Sequence, residues 1–426
     1  MPQASDRRGD LQQNEPCTES IRGRKSKQED KAIFRRKALM IILVMAGLVM
    51  FFCYRQADAV YREEKAKLYL PKTERVRAMA ETEKEWIRTR QGSDGRLYMN
   101  GGGTTNPYFA CLAAQGLLSG HVSEADLKAA GHYIDWHCQK FVEWKGEVPD
   151  FSVEDNVEST EKPDSVDAYV AVFLSLLCRK AEITGSISEA ESGALSQGMR
   201  KLDELTAGGI TSVREGDSRF YLMDNIEVLA CYRDIQSLGE KLDGFDESAK
   251  EAGNRAEETE TAIRDKIWNP EAFRYEVGMQ DEGKAIEAAK LDRFYPDGVV
   301  QVYGTVYGKY LTGRHDAEKL YERFCDTFSW ETMEVDGVSF YWSELAMAAV
   351  ELGDLERAEI YLDTYEKCME DGRKYPLHVG TAGWMAKTCA RMEEIYGERM
   401  KSSLLQDIGS SIVKRGKQWS AMMTAG

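Results

Sequence analysis

The chain has 426 residues, with 56 Lys and Arg against 72 Asp and Glu and a formal net charge of −16. Such an acidic surface repels polyphosphates, which argues against nucleic acid or an anionic membrane surface as partner. The 9 cysteines form no C-x-x-C pair and no Cys/His metal spacing, so no metal and no cofactor are implied, and they read as small buried hydrophobes.

Residues 1–37 are polar, basic and poor in aromatics, and are expected to be a disordered leader. Ala38 to Tyr54 then runs without a charge for about 17 residues, the lower limit for spanning a bilayer. Lys31, Arg35, Arg36 and Lys37 stand directly before it. The positive-inside rule therefore leaves the N-terminus in the cytoplasm and exports the rest behind a retained single-pass signal anchor in the cell membrane. Ala57-Asp58-Ala59 resembles an A-x-A cleavage site, so a cleaved and secreted form is the alternative. Residues 55–72 are expected as a linker, 73–400 as the main domain, and 401–426 as a tail with no assignment.

Within the main domain the apolar periodicity predicts helices in alternating kinds. Thr73 to Arg90 is amphipathic. Asn106-Pro107 starts a second helix, a cap followed by proline at the first helical position. Ser123 to Phe141 is amphipathic. Pro163 to Lys180 opens on Asp164 or Ser165 as cap, then is apolar on nearly every face, the pattern of a wholly buried helix. Ser186 to Leu205 and Asp246 to Trp268 are polar with narrow stripes, and between them Phe220 begins another apolar helix. A long insertion, Asn269 to Phe294, is expected to hold a hairpin at Phe273 to Met279. Asp316 to Phe328 and Leu355 to Met369 read as outer helices, and the stretches from Tyr295, Ser339 and Gly380 as inner ones.

Twelve helices in six pairs, one half-buried and one wholly buried in each, predict an all-α (α/α)6 toroid of two concentric rings, preceded by one transmembrane helix. A helical-repeat solenoid is the competing fold, but the inner-helix starts have no fixed period.

Each inner helix begins with acids and aromatics. Tyr108 marks the first. Asp167 and Tyr169 mark the second, Tyr221, Asp224 and Asn225 the third, and Tyr295, Asp297 and Gln301 the fourth. Phe340, Tyr341, Trp342 and Glu344 mark the fifth, and Tyr375, His378 and Trp384 the sixth. Sugar rings pack their C–H faces on aromatic rings, and their hydroxyls bond carboxylates and amides. Glycoside hydrolysis needs one carboxyl held protonated and one ionised. Singly, each acid also reads as a cap or a loop bond, and Glu227 as an arginine partner.

The segments NPYFACLAAQGLL, DSVDAYVAVFLSLL, FYLMDNIEVLACY, FYPDGVVQVYG and FYWSELAMAAVELGD resemble the six-hairpin glycosidases, the clan that includes glycoside hydrolase family 8 and the unsaturated glucuronyl hydrolases. In that likeness Asp167, Tyr169, Asp224, Asn225, Asp297 and Gln301 fall on motif positions. The glycine-rich loop at Gly101 has no glutamate where family 8 enzymes carry an S-E-G-x-G-like acid loop. The resemblance implies a poly- or oligosaccharide partner and, for a hydrolase, Asp167 and Asp224 as acid/base pair with Asp297 and Glu344 in reserve. Tyr108, Tyr221, Tyr295, Trp342 and Trp384 would be sugar platforms, with Tyr169, Asn225, Gln301 and His378 also on substrate. A non-catalytic glycan-binding protein and a helical scaffold for protein partners are the alternatives.

Overall fold

A computed structural model describes residues 18–100, 103–154, 157–242, 244–280, 283–335, 342–370, 372–373 and 377–413, with side chains from residue 30 onward except at 154 and 157. The expected mouth residues Phe340, Tyr341 and Tyr375 lie outside the described residues. The chain forms two compact units, one up to Leu68 together with the residues from Arg399 onward, the other Tyr69–Glu398.

The first unit is built on helix α1 (Thr18–Thr89), which runs on into the second. Part of the leader expected to be disordered, and the expected linker 55–72, are helical. The reason is local: Ala57, Ala59, Glu63, Glu64 and Ala66 are strong helix formers, and Arg62 closes on Asp58 one turn away at 2.9 Å. A helical stretch over 404–413 also belongs to this unit. Tyr61 donates to Asp407 Oδ2 at 2.7 Å, and Asp58 Oδ1 accepts the Leu404 N–H at 2.8 Å. Among the described residues α1 is the one helix long and apolar enough to cross a membrane, and Leu39 through Phe52 present exposed apolar side chains.

The second unit is the toroid. Its inner helices are α2 (Pro107–Leu117), α4 (Val166–Thr184), α6 (Leu222–Gly239), α8 (Val299–Val306), α10 (Glu344–Leu352) and α12 (Val379–Lys401). The outer ones are the end of α1, α3 (Glu124–Glu143), α5 (Glu189–Leu205), α7 (Asp246–Lys266), α9 (Arg314–Thr327) and α11 (Leu355–Glu370). Inner helices pack in succession from α2 to α10, each against its own outer partner. α12 closes the ring on α2, where Gly383 and Gly116 meet so tightly that a Cβ on Gly383 would stand 2.3 Å from the Leu112 carbonyl oxygen. This closure excludes the open solenoid. α4 is buried almost throughout, whereas α9 buries only Ala317, Leu320, Tyr321 and Phe324, the contrast expected of inner and outer rings.

Asn106 caps α2 by accepting the Phe109 N–H, with Pro107 next to it, as the dipeptide predicts. α4 differs: neither Asp164 nor Ser165 makes a side-chain cap bond. Ser165 turns its hydroxyl to two carboxylates instead, and Asp164 stays exposed. The loops entering the inner helices carry short strands. β1 (Thr104–Thr105), β2 (Asp150–Glu154) and β3 (Val157–Glu161) form one antiparallel sheet. β4 (Thr206–Ala207) and β5 (Ile210–Thr211) form a hairpin before β6 (Arg219–Tyr221). The expected hairpin at Phe273 to Met279 resolves into two pairings: β7 (Trp268–Asn269) with β8 (Arg274–Tyr275), and β9 (Gly278–Gln280) with both β6 and β10 (Lys284–Ala285).

Candidate active site

The first turns of the inner helices surround a cavity of about 410 Å³ lined by Tyr108, Asp150, Asp164, Ser165, Asp224, Glu227, Tyr295, Trp342, Glu344 and His378, among others. Every inner helix contributes because each carries a polar or aromatic first turn on an apolar shaft, and the ring points those turns at one axis.

Asp224 lies on the first turn of α6 and half-opens to the cavity. Ser165 Oγ is 2.8 Å from its Oδ2 and 2.5 Å from Asp167 Oδ1. Asp167 is fully buried behind this contact and also accepts from Thr211 Oγ1 at 2.7 Å and from the Ala168 N–H at 2.9 Å. Burial pushes both carboxyls above the usual range, and each raises or is raised by neighbouring acids. One serine hydrogen serves two carboxyl groups, so one carboxyl must itself hold a proton. Three donors converge on Asp167 and favour its ionised form, which leaves the proton to Asp224.

Glu227 sits one turn further along α6. Its Oε1 accepts the hydroxyls of Tyr108 at 2.7 Å and of Tyr303 and Tyr307 at 2.8 Å each. Burial outweighs these bonds and brings it up to about 7. Glu344, at the start of α10, is brought up to about 7 by burial as well, which outweighs the bond from its own backbone N–H. Tyr295 and Trp342 stack across the rim with ring centroids 4.8 Å apart and planes at 33°. His378 is only 6% exposed, packs 4.2 Å from the Phe109 ring, and accepts the Gly380 N–H on Nδ1 at 3.1 Å. Burial holds it down at about 4, so the neutral ring carries its proton on Nε2.

The other sequence candidates stand elsewhere. Asp297 is buried against the Arg293 guanidinium and accepts the Lys290 N–H at 2.7 Å, outside the cavity lining. Gln301 spends its amide on the Tyr275 N–H and carbonyl, both at 2.8 Å. Asn225 ties α6 to β5 through the Thr211 N–H and carbonyl. Tyr221 stands on β6 beside Arg219 and is not in the lining. Trp384, 1% exposed, lies edge-on to Tyr307 with Lys387 Nζ 3.9 Å above its ring. Tyr169 lines the cavity with its ring, but its hydroxyl meets His137 Nε2 at 2.8 Å in the outer layer. Tyr169 apart, these side chains are not in the lining, and their polar groups bond structure instead.

Three lining acids were not among the sequence's site candidates: Glu227, read as an arginine partner, Asp164, read as a helix cap, and Asp150, not singled out at all. Glu227 pairs with tyrosines rather than with an arginine; its spacing of three from Asp224 puts both on one helix face and was a usable signal. Asp150 had none, since its position depends on the register of β2. Among the described residues no group of three or more His, Cys, Asp and Glu is placed to hold a metal.

No family model matches the sequence, and no curated protein matches it. Solved structures do match in fold. A "novel alpha-amylase from Clostridium perfringens" aligns at TM-score 0.51 and 12% identity over 74% of this chain and 97% of its own. An inactive variant of an alpha-1,6-mannanase of Salegentibacter sp., in complex with alpha-1,6-mannotetrose, aligns at TM-score 0.51 and 11% identity over 75% of this chain and 98% of its own. A glycosidase variant in complex with glucose aligns at TM-score 0.50 and 12% identity over 76% and 98%. The fold is thus the (α/α)6 toroid that these glycosidases share.

Proposed function

We propose that the chain is a glycoside hydrolase that cuts a poly- or oligosaccharide in the toroid cavity, with Asp224 as general acid and Glu344 as second carboxyl. The observation that carries this reading is that Asp224, Glu227 and Glu344 open onto one cavity beside the Tyr295–Trp342 stack. Asp224 holds the one proton of the Asp167–Ser165–Asp224 trio, so it is loaded to protonate the leaving oxygen, and water that enters the cavity returns the proton after the sugar departs. Glu344 keeps free lone pairs toward the cavity, as a base or nucleophile requires. Glu227 has one oxygen occupied by three phenols, which suits it to orient substrate and hold the tyrosine floor. Asp167 is then a positioning residue rather than half of the pair, and Asp297 drops out.

Reducing-end release from a polysaccharide panel tests this directly. The intact chain is expected to release sugar, and Asp224→Asn and Glu344→Gln to lose it; full activity in either variant sinks the assignment. A glycan-binding protein without turnover is favoured by the same aromatic stack, and binding without release would select it.

The apolar part of α1 supports a membrane tether for the toroid, with Lys31, Arg35, Arg36 and Lys37 keeping the N-terminus cytoplasmic. Alkaline extraction and protease protection of the toroid in intact cells test this; a soluble or protease-sheltered toroid refutes it.

A further inference from the structure

Besides the apolar run of α1, the first unit exposes a second apolar surface, on the helical stretch over 404–413. The proposed chemistry gives it no work. Ser403 starts this stretch with a capping box: its hydroxyl accepts the Gln406 N–H at 3.3 Å, and Gln406 Oε1 accepts the Ser403 N–H at 2.8 Å. Leu405, Ile408 and Ile412 then follow at spacings of three and four, which puts them on one face. They are 59%, 47% and 66% exposed. A single exposed leucine needs no explanation, but an apolar stripe along a short helix marks a contact.

The other side of this helix is clamped to α1 just past the apolar run. Asp58 Oδ1 accepts the Leu404 N–H at 2.8 Å, Tyr61 donates to Asp407 Oδ2 at 2.7 Å, and Lys65 Nζ donates to the same oxygen at 2.5 Å. Arg62 donates to the Lys401 carbonyl at 3.3 Å. At about 1.5 Å of rise per residue, Asp58 stands about 6 Å and Lys65 about 16 Å beyond Tyr54, where the uncharged run stops. The polar layer on each side of the hydrocarbon is about 5–8 Å deep. The clamp therefore holds the start of the helix at headgroup depth in a bilayer that α1 crosses. The charge agrees with this placement. The whole chain carries −16, but residues 399–426 contain Arg399, Lys401, Lys414, Arg415 and Lys417 against Asp407 alone, and Asp407 is spent on Lys65. Trp419 follows in the sequence. An apolar stripe in a basic segment with a tryptophan is the composition of a helix that lies in the membrane interface.

We infer that the helix over 404–413 is an interfacial membrane segment, laying Leu405, Ile408 and Ile412 into the headgroup–acyl boundary of an anionic phospholipid bilayer beside α1. This rests on the membrane tether proposed for α1. The occupant is lipid rather than a second copy of the chain, because the clamp holds the stripe at headgroup depth and the segment around it is basic. The chain then has two lipid contacts joined at Asp58, Tyr61 and Lys65, one crossing the bilayer and one lying on it, and the join sets how deep α1 sits.

Photocrosslinking tests the inference. The full chain carries a benzophenone residue in place of one side chain at a time and is reconstituted in vesicles of phosphatidylcholine and phosphatidylglycerol. Probes at Ile408 and Ile412 are expected to form lipid adducts, and probes at Gln406 and Ser410, exposed on the other flank of the helix, are not. A probe at Leu43 reports the tether. Adducts at Leu43 without adducts at Ile408 and Ile412 overturn the interfacial helix and leave the tether standing, whereas no adduct at any position overturns both. Equal adducts at all four positions of the short helix, or crosslinks from Ile408 to a second copy of the chain, also overturn it. Ile408→Ser with Ile412→Ser gives a second readout at exposed positions that the fold does not need. In the same vesicles this variant should raise amide exchange over 404–413 by about tenfold or more. Exchange as slow as in the parent would refute the lipid contact.

Discussion

Asp167 and Asp224 meet at one serine hydroxyl: Ser165 Oγ is 2.5 Å from the first and 2.8 Å from the second. The two aspartates come from different inner helices, α4 and α6, and share a proton that the serine alone cannot supply. Asp224→Asn should cost about 10²–10⁴-fold in turnover, the range for loss of a general acid. Asp167→Asn should act differently. Asp167 is among the charges that raise Asp224, so its removal lowers the Asp224 pKa. A general acid fails as pH rises through its pKa, so the basic limb of the rate profile should move to lower pH. A profile unchanged in Asp167→Asn would break the link.

Glu344 offers a test in which stability and activity part. Its folded pKa of about 7 lies above the ordinary 4.5 of a glutamate. The folded state therefore binds more protons, and this contribution to stability is full below 4.5 and lost as pH rises through about 7. Glu344→Gln removes that loss. It should melt higher than the parent at about pH 8 and nearly level with it at about pH 4, while hydrolysis disappears. Lower melting of the variant at the alkaline end would contradict the burial of this carboxyl.

His137 works in the opposite sense. Burial between Tyr133 and Tyr169 holds it down at about 3 against an ordinary 6.5. The unfolded chain takes up this proton first, so its contribution to stability is present above about 6.5 and fades as pH falls toward 3. His137→Gln should flatten the acid side of a melting-temperature profile, whatever its effect at neutrality. An acid slope as steep as that of the parent would refute this.

The Tyr295–Trp342 stack is expected to bind sugar rather than to do chemistry. Trp342→Ala should raise KM by about 2–12-fold, the scale of one aromatic contact, with a much smaller change in kcat. A loss confined to kcat would show that the ring has been assigned the wrong work.

Two structural variants probe the ring itself. Gly383→Ala puts a methyl 2.3 Å from the Leu112 carbonyl oxygen, a backbone atom that cannot swing away. It should destabilise the toroid by about 1–3 kcal/mol in denaturant titration, since α2 and α12 must part. Glu83, fully buried, is held by the two terminal nitrogens of the Arg373 guanidinium at 2.6 Å each and by the Tyr365 hydroxyl at 3.0 Å. Glu83→Ala leaves a buried cation unpaired and should cost about 3–5 kcal/mol, clearly more than Glu83→Ala with Arg373→Met together. Equal costs for the single and double variants would show that the pair is not coupled.

The alternation of half-buried and wholly buried helices, the Asn106-Pro107 start and the acid-and-aromatic mouths were legible in the sequence because each is a local pattern. A helix fixes which residues share a face within a turn or two, and the amount of apolar face fixes whether one side or all sides are covered. The helical character of residues 55–72 was legible too, in their alanines and glutamates, but a linker was the default for a polar stretch after an apolar span. The cap of α4 differs because Ser165 turns its hydroxyl to two carboxyl groups instead of accepting a helix N–H.

What the sequence by itself determined was therefore the set of helices, their two kinds and the end at which a site would be built. Only the tertiary structure decided which acids do the building. Asp224 and Asp297 look alike in sequence, each on the first turn of an inner helix, yet one opens to the cavity and the other is locked to Arg293. Trp342 and Trp384 part in the same way, to the rim and to the interior. The difference lies in how each entering segment and helix packs against its neighbours: Trp342 and Asp297 stand just before α10 and α8, whereas Asp224 and Trp384 are on α6 and α12. The decisive contacts also join residues far apart in the chain, 59 positions from Ser165 to Asp224 and 119 from Tyr108 to Glu227, and no local pattern carries them.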